Sequence, residues 1–243
     1  MKMTVLGCGD AFASAGRFNT SFLLEEELHK VLIDCGASTL IRLKQLNIAV
    51  DSIDTIIITH FHGDHYGGLP FLMLSNHLEC KRKHPLTIIG PEGIRDRLYA
   101  LQEAMYPGTQ PFLTALDLRF LEFQENNWIQ AAGVDVYARK VTHAPPSNPH
   151  GVKVRIGEQV FGFSGDTEWD DALIDLADET DAFVIECNNF DIDTPGHLSY
   201  QTILNKKDFF KTQKLLLTHM GNDVINQKHT DIQRLEDGAE VTF

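Results

Sequence analysis

Cysteine is scarce in this chain, and its few copies lie far apart. The four cysteines are Cys8, Cys35, Cys80 and Cys187, and no two of them form a CxxC pair. A structural zinc site of the zinc-finger type and a thioredoxin-like redox motif both rely on such pairs, so neither is expected. The pattern is instead typical of free thiols in a reducing compartment.

Long hydrophobic runs are also missing. The segment Met1–Leu6 enters a strand pattern at once, without the apolar stretch of a signal peptide, and no later run is long enough to span a bilayer. Internal repeats, low-complexity tracts and linkers are absent as well. We therefore expect a cytoplasmic protein with no membrane span, folded as a single domain over residues 1–243.

Basic residues are too few to balance the acidic ones. The chain has 21 Lys and Arg against 34 Asp and Glu, which gives a formal net charge of −13. Binding along a phosphate backbone needs a basic face, so an extended nucleic acid is not an expected partner. The one basic cluster, Lys81–His84, is predicted to be a solvated turn before a strand.

Short strand patterns dominate what the chain does contain, with helical segments between them. Such a mixture predicts a mixed α/β domain. Ser38 is expected to cap the first helix and Pro91 to begin the third, while 107–114 is predicted to be a loop. Strands are predicted at 5–8, 21–24, 30–34, 55–59, 86–89, 116–123, 134–141, 152–156, 159–163, 182–186 and 215–218, and helices at 38–46, 67–78, 91–105, 169–177 and 200–205.

The most informative segment is the hexapeptide His60-Phe61-His62-Gly63-Asp64-His65. It directly follows the β-branched run 55–59, which reads as a buried strand. A strand end delivers side chains to one place with little freedom, and imidazole with carboxylate is a donor set that suits zinc and neighbouring metals. The segment therefore predicts a metal site.

Three further strands end in residues of the same type. The run 141–142 leads into His143, the run 161–165 leads into Asp166, and the run 215–218 leads into His219. A single polar residue at a strand end is common. Four such ends in one chain, one of them carrying the hexapeptide, favour a shared site.

This ordered series resembles the metallo-β-lactamase superfamily over nearly the whole chain. The hexapeptide matches its HxHxDH motif, the three later strand ends match its His, Asp and His motifs, and 6–10 and 32–36 look like its first glycine turn and its Asp-containing strand end. The resemblance implies an α/β fold of the four-layer αββα sandwich type, with a dinuclear metal site at one edge of the two sheets.

The same resemblance implies a ligand set and cofactors. We expect two divalent metal ions, zinc first, with manganese or iron also compatible with these nitrogen and oxygen donors. A hydroxide shared by two metals has a strongly lowered pKa and is a ready nucleophile. The implied ligands are His60, His62 and His143 for one metal, Asp64, His65 and His219 for the other, and Asp166 as the bridge.

Two more features resemble the tRNase Z and related phosphodiesterase branch of the superfamily. His197 follows a Pro-Gly pair, and Glu186 ends the preceding strand. In that branch the histidine faces the scissile phosphate and the glutamate steadies it. Cleavage of a phosphodiester expels an alkoxide, which benefits from a general acid near neutral pH, and histidine suits that role. The catalytic residues implied are Asp64, which orients the nucleophile, His197 as the acid, and Glu186.

The chain also departs from bacterial tRNase Z. That family has a long tRNA-gripping arm between the His and Asp motifs, whereas the interval from His143 to Asp166 holds only a loop and a hairpin. Ile185 stands where a family histidine would precede Glu186. We therefore expect a small-molecule phosphodiester substrate, such as a cyclic nucleotide or a cyclic phosphate, rather than tRNA.

Two alternatives remain open. In the first, the same dinuclear site hydrolyses lactones, thioesters or amides, and a general acid such as His197 is less needed. In the second, the chain is a non-catalytic metal-binding sensor or partner-binding protein. The sequence also allows a homodimer. Of the remaining candidates, His150 is a residue that could line the site, Trp169 is interpreted as core, and 66–127 is expected to supply outer helices or a lip over the metals.

Overall fold

Two seven-stranded β-sheets organise the chain, and the computed structural model describes all residues from 1 to 243. Their strands coincide with the β-branched and leucine-rich runs, which pack well on a pleated surface. In chain order they are β1 (Lys2–Gly7), β2 (Ser21–Glu26), β3 (His29–Ile33), β4 (Thr55–Ile57), β5 (Leu86–Gly90), β6 (Leu118–Glu122), β7 (Trp128–Ala131), β8 (Val134–Lys140), β9 (His150–Ile156), β10 (Gln159–Phe163), β11 (Ala182–Glu186), β12 (Leu215–Thr218), β13 (Gln233–Arg234) and β14 (Glu240–Thr242).

Each sheet has an antiparallel part and a parallel part. The first sheet has the order β14-β1-β2-β3-β4-β5-β6 and is parallel from β3 to β6. The second has the order β13-β12-β11-β10-β9-β8-β7 and is parallel from β10 to β13. Neighbouring parallel strands end at the same edge, so the loops after β3 and β4 meet in one place, as do those after β10, β11 and β12.

The helices are short and fill the connections between strands. They are α1 (Thr39–Gln45), α2 (Gly63–Tyr66), α3 (Leu69–Leu74), α4 (Ile94–Met105), α5 (Gln110–Ala115), α6 (Ala172–Ala177), α7 (Tyr200–Lys206) and α8 (Asn222–Ile225), with 3-10 turns at Ser14–Gly16, Val50–Ser52, Pro145–Ser147 and Lys207–Phe209 and a π-helical turn at Ser75–Glu79.

The alternation of side chains along the strands produces the layers. Phe22 on β2 points between the two sheets, where its ring centroid lies 6.0 Å from that of Phe161 and 5.3 Å from that of Phe163. Leu23, its neighbour in sequence, faces the opposite side and belongs to the apolar cluster formed with α1, α3, α4 and α5. Helix α6 packs against the second sheet. The architecture is therefore the expected αββα sandwich.

Several predicted elements are confirmed closely. Strands β10, β11 and β12 coincide with their predicted bounds, and the apolar segment from 67 to 78 forms α3 and the π-helical turn. Ser38 lies at the amino end of α1, but its side chain does not cap that helix. Its hydroxyl donates instead to Asn19 Oδ1 at 3.1 Å and ties two loops together.

Other predictions were wrong, for identifiable reasons. Helix α4 begins at Ile94 rather than Pro91, because Gly93 has a φ of 87° and a left-handed residue cannot continue into a right-handed helix. The predicted loop 107–114 contains α5, whose Pro111 lies in the first turn, where its missing N–H costs nothing. Strand β7 was not predicted; it pairs with β8 across a turn in which Ala132 and Gly133 both have positive φ.

The basic cluster is not uniformly solvated. Arg82 is only 7% exposed, in contrast to Lys81 and Lys83 beside it. Its guanidinium donates to the carbonyl oxygens of Asp51, His84 and Pro85 at 3.0, 2.9 and 2.6 Å. The planar fork of five donors allows one arginine to join several backbone segments, so here the positive charge has a structural use.

No helix of the structure combines the length and the apolar character needed to cross a membrane.

Candidate metal centre

The predicted ligands come from the ends of four strands. His60 and His62 follow β4, Asp64 and His65 lie in the one-turn helix α2, and the remaining three follow β8, β10 and β12. Backbone geometry brings these ends together: Gly9 after β1 forms a bridge with Met220 after β12, which joins the edges of the two sheets. The site thus lies where both sheets end.

A first cluster consists of three imidazoles and one carboxylate. One donor atom from each side chain lies within 4.8 Å of all the others; the members are His60, His62, His143 and Asp166. Nε2 of His143 is 3.0 Å from Nδ1 of His62, and Nε2 of His60 is 3.7 Å from Oδ2 of Asp166. All four are predicted ligands, and the structure brings them together as the sequence grouped them.

A second cluster contains two imidazoles and two carboxylates; its members are Asp64, His65, Asp166 and His219. Nε2 of His65 lies 3.2 Å from Oδ2 of both Asp64 and Asp166, and Nε2 of His219 lies 3.3 and 3.2 Å from the same two atoms. Asp166 belongs to both clusters, which is where the family resemblance implies a bridging carboxylate.

These residues fit divalent metal ions. Nε2 of His60 and Oδ1 of Asp166 are buried and have no hydrogen-bond partner in the protein. A buried polar atom without a partner destabilises the folded protein by about 1–3 kcal/mol, and a bound cation would supply the missing partner. Mixed imidazole and carboxylate donors suit zinc, manganese and iron, and the geometry does not select among them.

Asp34 supports a ligand in each cluster. Its Oδ2 accepts a hydrogen bond from Nδ1 of His65 at 2.7 Å, which leaves Nε2 of that ring free for a metal. It also accepts from the hydroxyl of Thr59 at 2.8 Å. That hydroxyl has its single proton committed to Asp34, so at 3.0 Å it accepts from Nδ1 of His60 and fixes the same tautomer there.

Backbone strain accompanies this arrangement. Asp34 and His219, which are not glycines, have φ angles of 57° and 52° at the ends of β3 and β12. The left-handed conformation costs roughly 1–2 kcal/mol for an L-residue. Strain of this kind is retained where the surrounding structure requires it, and here it turns two polar side chains into the site.

The electrostatics of the two clusters differ. Burial lowers the pKa of His60 well below its usual 6.5 and also lowers that of His62 and of His143. Burial acts in the same direction on His219 and His65, but the carboxylate of Asp166 with those beside it outweighs burial. The pKa of His219 is therefore raised to about 9 and that of His65 well above its usual value.

His197 and Glu186 form a separate pair beside the clusters. Nδ1 of His197 donates to Oε1 of Glu186 at 2.8 Å, and the same oxygen accepts from the N–H of Thr167 at 2.8 Å. Burial raises the pKa of Glu186. Burial also opposes charge on His197, yet the hydrogen bond to Glu186 raises the pKa of that imidazole. Its ring centroid is 4.9 Å from that of His143 and 5.4 Å from that of His219.

Other candidates lie outside the centre. His150 belongs to neither cluster: its Nδ1 donates to the carbonyl of Asn148 at 2.9 Å, and its ring packs beside Phe123. Ile185 is fully buried in the apolar core. Trp169 packs against that core with its ring 6.0 Å from Phe210, in agreement with its interpretation as a core residue.

Sequence reasoning assigned no role to Thr59, Gly196 or Glu168, and it noted Asp34 only as part of a motif. Asp34 does carry a signal, because it directly follows a buried strand as the ligands do. The hydroxyl of Thr59 gives no such signal, since threonine is common in strands. Gly196 accepts from Nδ1 of His143 through its carbonyl at 2.7 Å, a contact that no local pattern reveals.

Comparison with known proteins agrees with this geometry. The short form of human tRNase Z (ELAC1) is 23% identical and superposes with a TM-score of 0.80 over 100% of this chain and 99% of that one. A diphosphatase from the PhnP family is 18% identical, with a TM-score of 0.76 over 100% and 97%. In sequence, ribonuclease Z from Clostridium beijerinckii is 43% identical over 102 residues, which are 42% of this chain.

The fold is that of the metallo-β-lactamase superfamily, and the chain resembles the tRNase Z-like branch in its fold and in part of its sequence. The ribonuclease Z sequences match only in part, because the alignments span 33% of the Clostridium beijerinckii protein and 50% of the one from Clostridium acetobutylicum. The chain belongs to the family described as "Anti-Pycsar protein Apyc1", which matches residues 1–236.

Proposed function

We propose that this protein is a metal-dependent hydrolase that cleaves small or cyclic phosphodiesters. The observation that carries the proposal is the placement of His197, an imidazole held by a buried carboxylate beside both ligand clusters. A hydrolase that attacks carbonyl compounds on two metals has less need for a general acid in that place. Relatives in the same branch are named as a ribonuclease and as a diphosphatase, which supports chemistry at phosphorus.

The metal ligands hold the reaction centre. Two divalent cations bound there would polarise phosphate oxygens and lower the pKa of a water molecule between them. Asp64 is 10% exposed, so its carboxylate borders the open side of the second cluster. From there it can accept a hydrogen bond from the attacking water and orient it in line with the scissile bond. Asp166 is only 2% exposed and belongs to both clusters. Its negative charge would offset the repulsion between the two bound cations.

His197 is suited to protonate the leaving oxygen. Its Nδ1 is occupied by Glu186, so Nε2 is the nitrogen available to a substrate, and the side chain is 23% exposed. The raised pKa keeps a larger fraction of the ring protonated near neutral pH. Glu186 thereby both orients the imidazole and favours its acidic form, as the carboxylate does in other carboxylate–histidine pairs.

The shape and charge of the chain favour a small substrate. Between His143 and Asp166 the structure has one 3-10 turn and the hairpin β9–β10, with no projecting arm. The net charge of −13 adds long-range repulsion toward a polynucleotide. We therefore include a small-molecule phosphodiester in the proposal and leave precursor tRNA out of it.

The decisive test is a His197→Ala variant assayed with two diesters. The variant should retain both metals by elemental analysis and lose about 10²- to 10⁴-fold in turnover of a diester with an alkoxide leaving group, because general acid catalysis is typically worth that much. Turnover of bis-p-nitrophenyl phosphate should change little, since p-nitrophenolate leaves without a proton. His229→Ala, an 83% exposed histidine, is the matched control.

A substrate panel separates the proposal from its alternatives. A cyclic nucleotide, bis-p-nitrophenyl phosphate, a lactone, nitrocefin and a precursor tRNA would each be offered with zinc or manganese. We expect turnover of the two diesters. Turnover of the lactone or nitrocefin alone would favour carbonyl chemistry, accurate cleavage of the tRNA would refute the small-substrate proposal, and inactivity toward all five with both metals bound would favour a non-catalytic role.

A further inference from the structure

Glu168 joins three segments that each carry a residue of the site. Its backbone N–H donates to the carbonyl of Thr142, directly before His143, at 2.7 Å. Its side-chain Oε1 accepts from the N–H of Gly196, directly before His197, at 2.8 Å. Glu168 itself follows Asp166 by two residues on the strand end after β10. One residue therefore fixes the relative positions of a metal ligand, the bridging carboxylate and the acid.

Gly196 transmits this contact to His143. Its carbonyl accepts from Nδ1 of His143 at 2.7 Å, so that Nε2 of the ring faces the first cluster. The residue has a φ of +87°, and a Cβ built on it would lie 2.7 Å from Nδ1 of His143. Only glycine can bring its backbone this close, so the approach of the turn to the ring is a fixed feature of the site.

The turn that carries Gly196 is also held at the two polar residues before it: Asn189 Nδ2 donates to Oγ1 of Thr194 at 2.8 Å, and the N–H of Ser199 donates to Oδ1 of Asp193 at 2.7 Å. Thr194 and His197 close it through backbone hydrogen bonds of 3.2 and 2.9 Å, and residues 191–195 are exposed. After the turn, Glu186 holds Nδ1 of His197 at 2.8 Å and the N–H of Leu198 at 3.3 Å. Glu168 holds Gly196 itself, the residue between these two groups of contacts.

We propose that Glu168 is a positioning residue, which holds the 194–197 turn so that the Gly196 carbonyl orients His143 while His197 faces the leaving group. The inference rests on the proposed phosphodiesterase function for its catalytic consequence. Its structural consequence, the placement of the turn, does not depend on any activity. What the turn needs from residue 168 is an acceptor oxygen at the right distance, and a negative charge is not required.

Substitutions at position 168 distinguish these requirements. Glu168→Gln keeps an acceptor oxygen at the same distance and should restore the wild-type behaviour. Glu168→Asp keeps the charge but is one methylene shorter, so it should fail to reach the Gly196 N–H, as Glu168→Ala should. Asp171→Ala removes an exposed carboxylate nearby that makes no side-chain capping hydrogen bond and serves as the matched control.

The first readout is spectroscopic. In metal-loaded protein with ¹⁵N-labelled histidine, Nδ1–H of His143 should give a protected signal in the wild type and in Glu168→Gln. Glu168→Ala and Glu168→Asp should lose or shift it, and the Gly196 amide should exchange with solvent at least about tenfold faster because its bond is open more often. Unchanged signals and exchange in Glu168→Ala would overturn the proposal, as would a Glu168→Gln variant that behaves like Glu168→Ala.

The second readout is the dependence on the leaving group. Glu168→Ala should lose about 10- to 100-fold in turnover of an alkoxide diester, a loss typical of a misplaced reacting group, and much less with bis-p-nitrophenyl phosphate. Equal losses on both diesters would contradict a role in placing His197. If the wild-type protein hydrolyses no diester, the proposed function fails, while the spectroscopic result still decides whether Glu168 places the turn.

Discussion

The two ligand clusters share Asp166 and lie side by side, yet they are built differently. The first offers three imidazoles and one carboxylate, and the second offers two imidazoles and two carboxylates. Burial dominates in the first, so the pKa values of its histidines are lowered and their rings are neutral. In the second, Asp166 and Asp64 outweigh burial, so the pKa values of His65 and His219 are raised.

This difference in the pKa values predicts a difference in how the two clusters bind a cation. Neutral imidazoles are ready to bind a metal without losing a proton. The second cluster compensates its excess of carboxylates with protons, which a metal has to displace. The first cluster should therefore take up metal over a wide pH range, while the second should do so only as its protons leave. The predictions below test this contrast, beginning with the residue that both clusters share.

Removal of Asp166 should have the largest effect. Asp166→Ala takes one ligand from each cluster and leaves two cations without the carboxylate between them. Metal-assisted catalysis is worth several kcal/mol, so hydrolysis should fall on the order of 10³-fold or more. Elemental analysis should show fewer than the two metal equivalents expected of the wild type. A variant that keeps two metals and most of its activity would contradict the bridging role, and so would a wild type that never exceeds one equivalent.

The sequence predicted which residues come together because the strand ends themselves carry the predicted ligands. Buried strands are recognisable by their β-branched composition, and the residue after each one is fixed at a sheet edge. β11 and β12 were predicted to the residue, and Asp166 and His219 follow such strands closely. A motif tied to a strand end therefore specifies position as well as chemistry, which explains why the seven residues that the family resemblance implied as ligands lie together in two clusters.

What could not be predicted depends on contacts between distant segments. The hydrogen bond from Gly196 to Glu168 joins residues 28 positions apart in sequence, and Arg82 is buried because carbonyls from two separate segments converge on it. Helix α5 was missed because one turn after a proline has no periodicity to detect. For Arg82 and for Gly196 the deciding interaction is tertiary, whereas α5 was missed because it is short.

Asp34→Asn should have the next largest effect, because it weakens one ligand in each cluster. Asparagine has one acceptor oxygen where aspartate has two, so it cannot accept from His65 and the Thr59 hydroxyl at one position and from the Thr59 N–H at the other, and the support of both rings is weakened. Loss of such support typically costs about 10- to 100-fold in metal affinity. Competition with a chelator would measure it, with Asp171→Asn as the control. We expect the larger loss of metal affinity in the second cluster, because Asp34 contacts His65 directly. Equal metal affinities of the wild type and Asp34→Asn would refute the supporting role.

The prediction that separates the clusters most sharply leaves every residue in place and concerns the pH dependence of metal binding. His219, with a pKa of about 9 in the metal-free protein, holds a proton at neutral pH, and His65 does so too. A cation that enters the second cluster must expel those protons, so its affinity should rise with pH by about tenfold per unit for each proton released, and the part of this rise due to His219 should level off above about pH 9.

Metal entering the first cluster should behave differently over the same range. His60, His62 and His143 have lowered pKa values and are already deprotonated at neutral pH, so the affinity of this cluster should be nearly independent of pH. Calorimetric titration with zinc in two buffers of different ionisation enthalpy counts the protons released with each equivalent. His219→Ala should reduce the count for the second cluster and leave the first unchanged. Equal pH slopes for both equivalents would show that the electrostatic contrast does not govern metal uptake, and the clusters would then act as one unit.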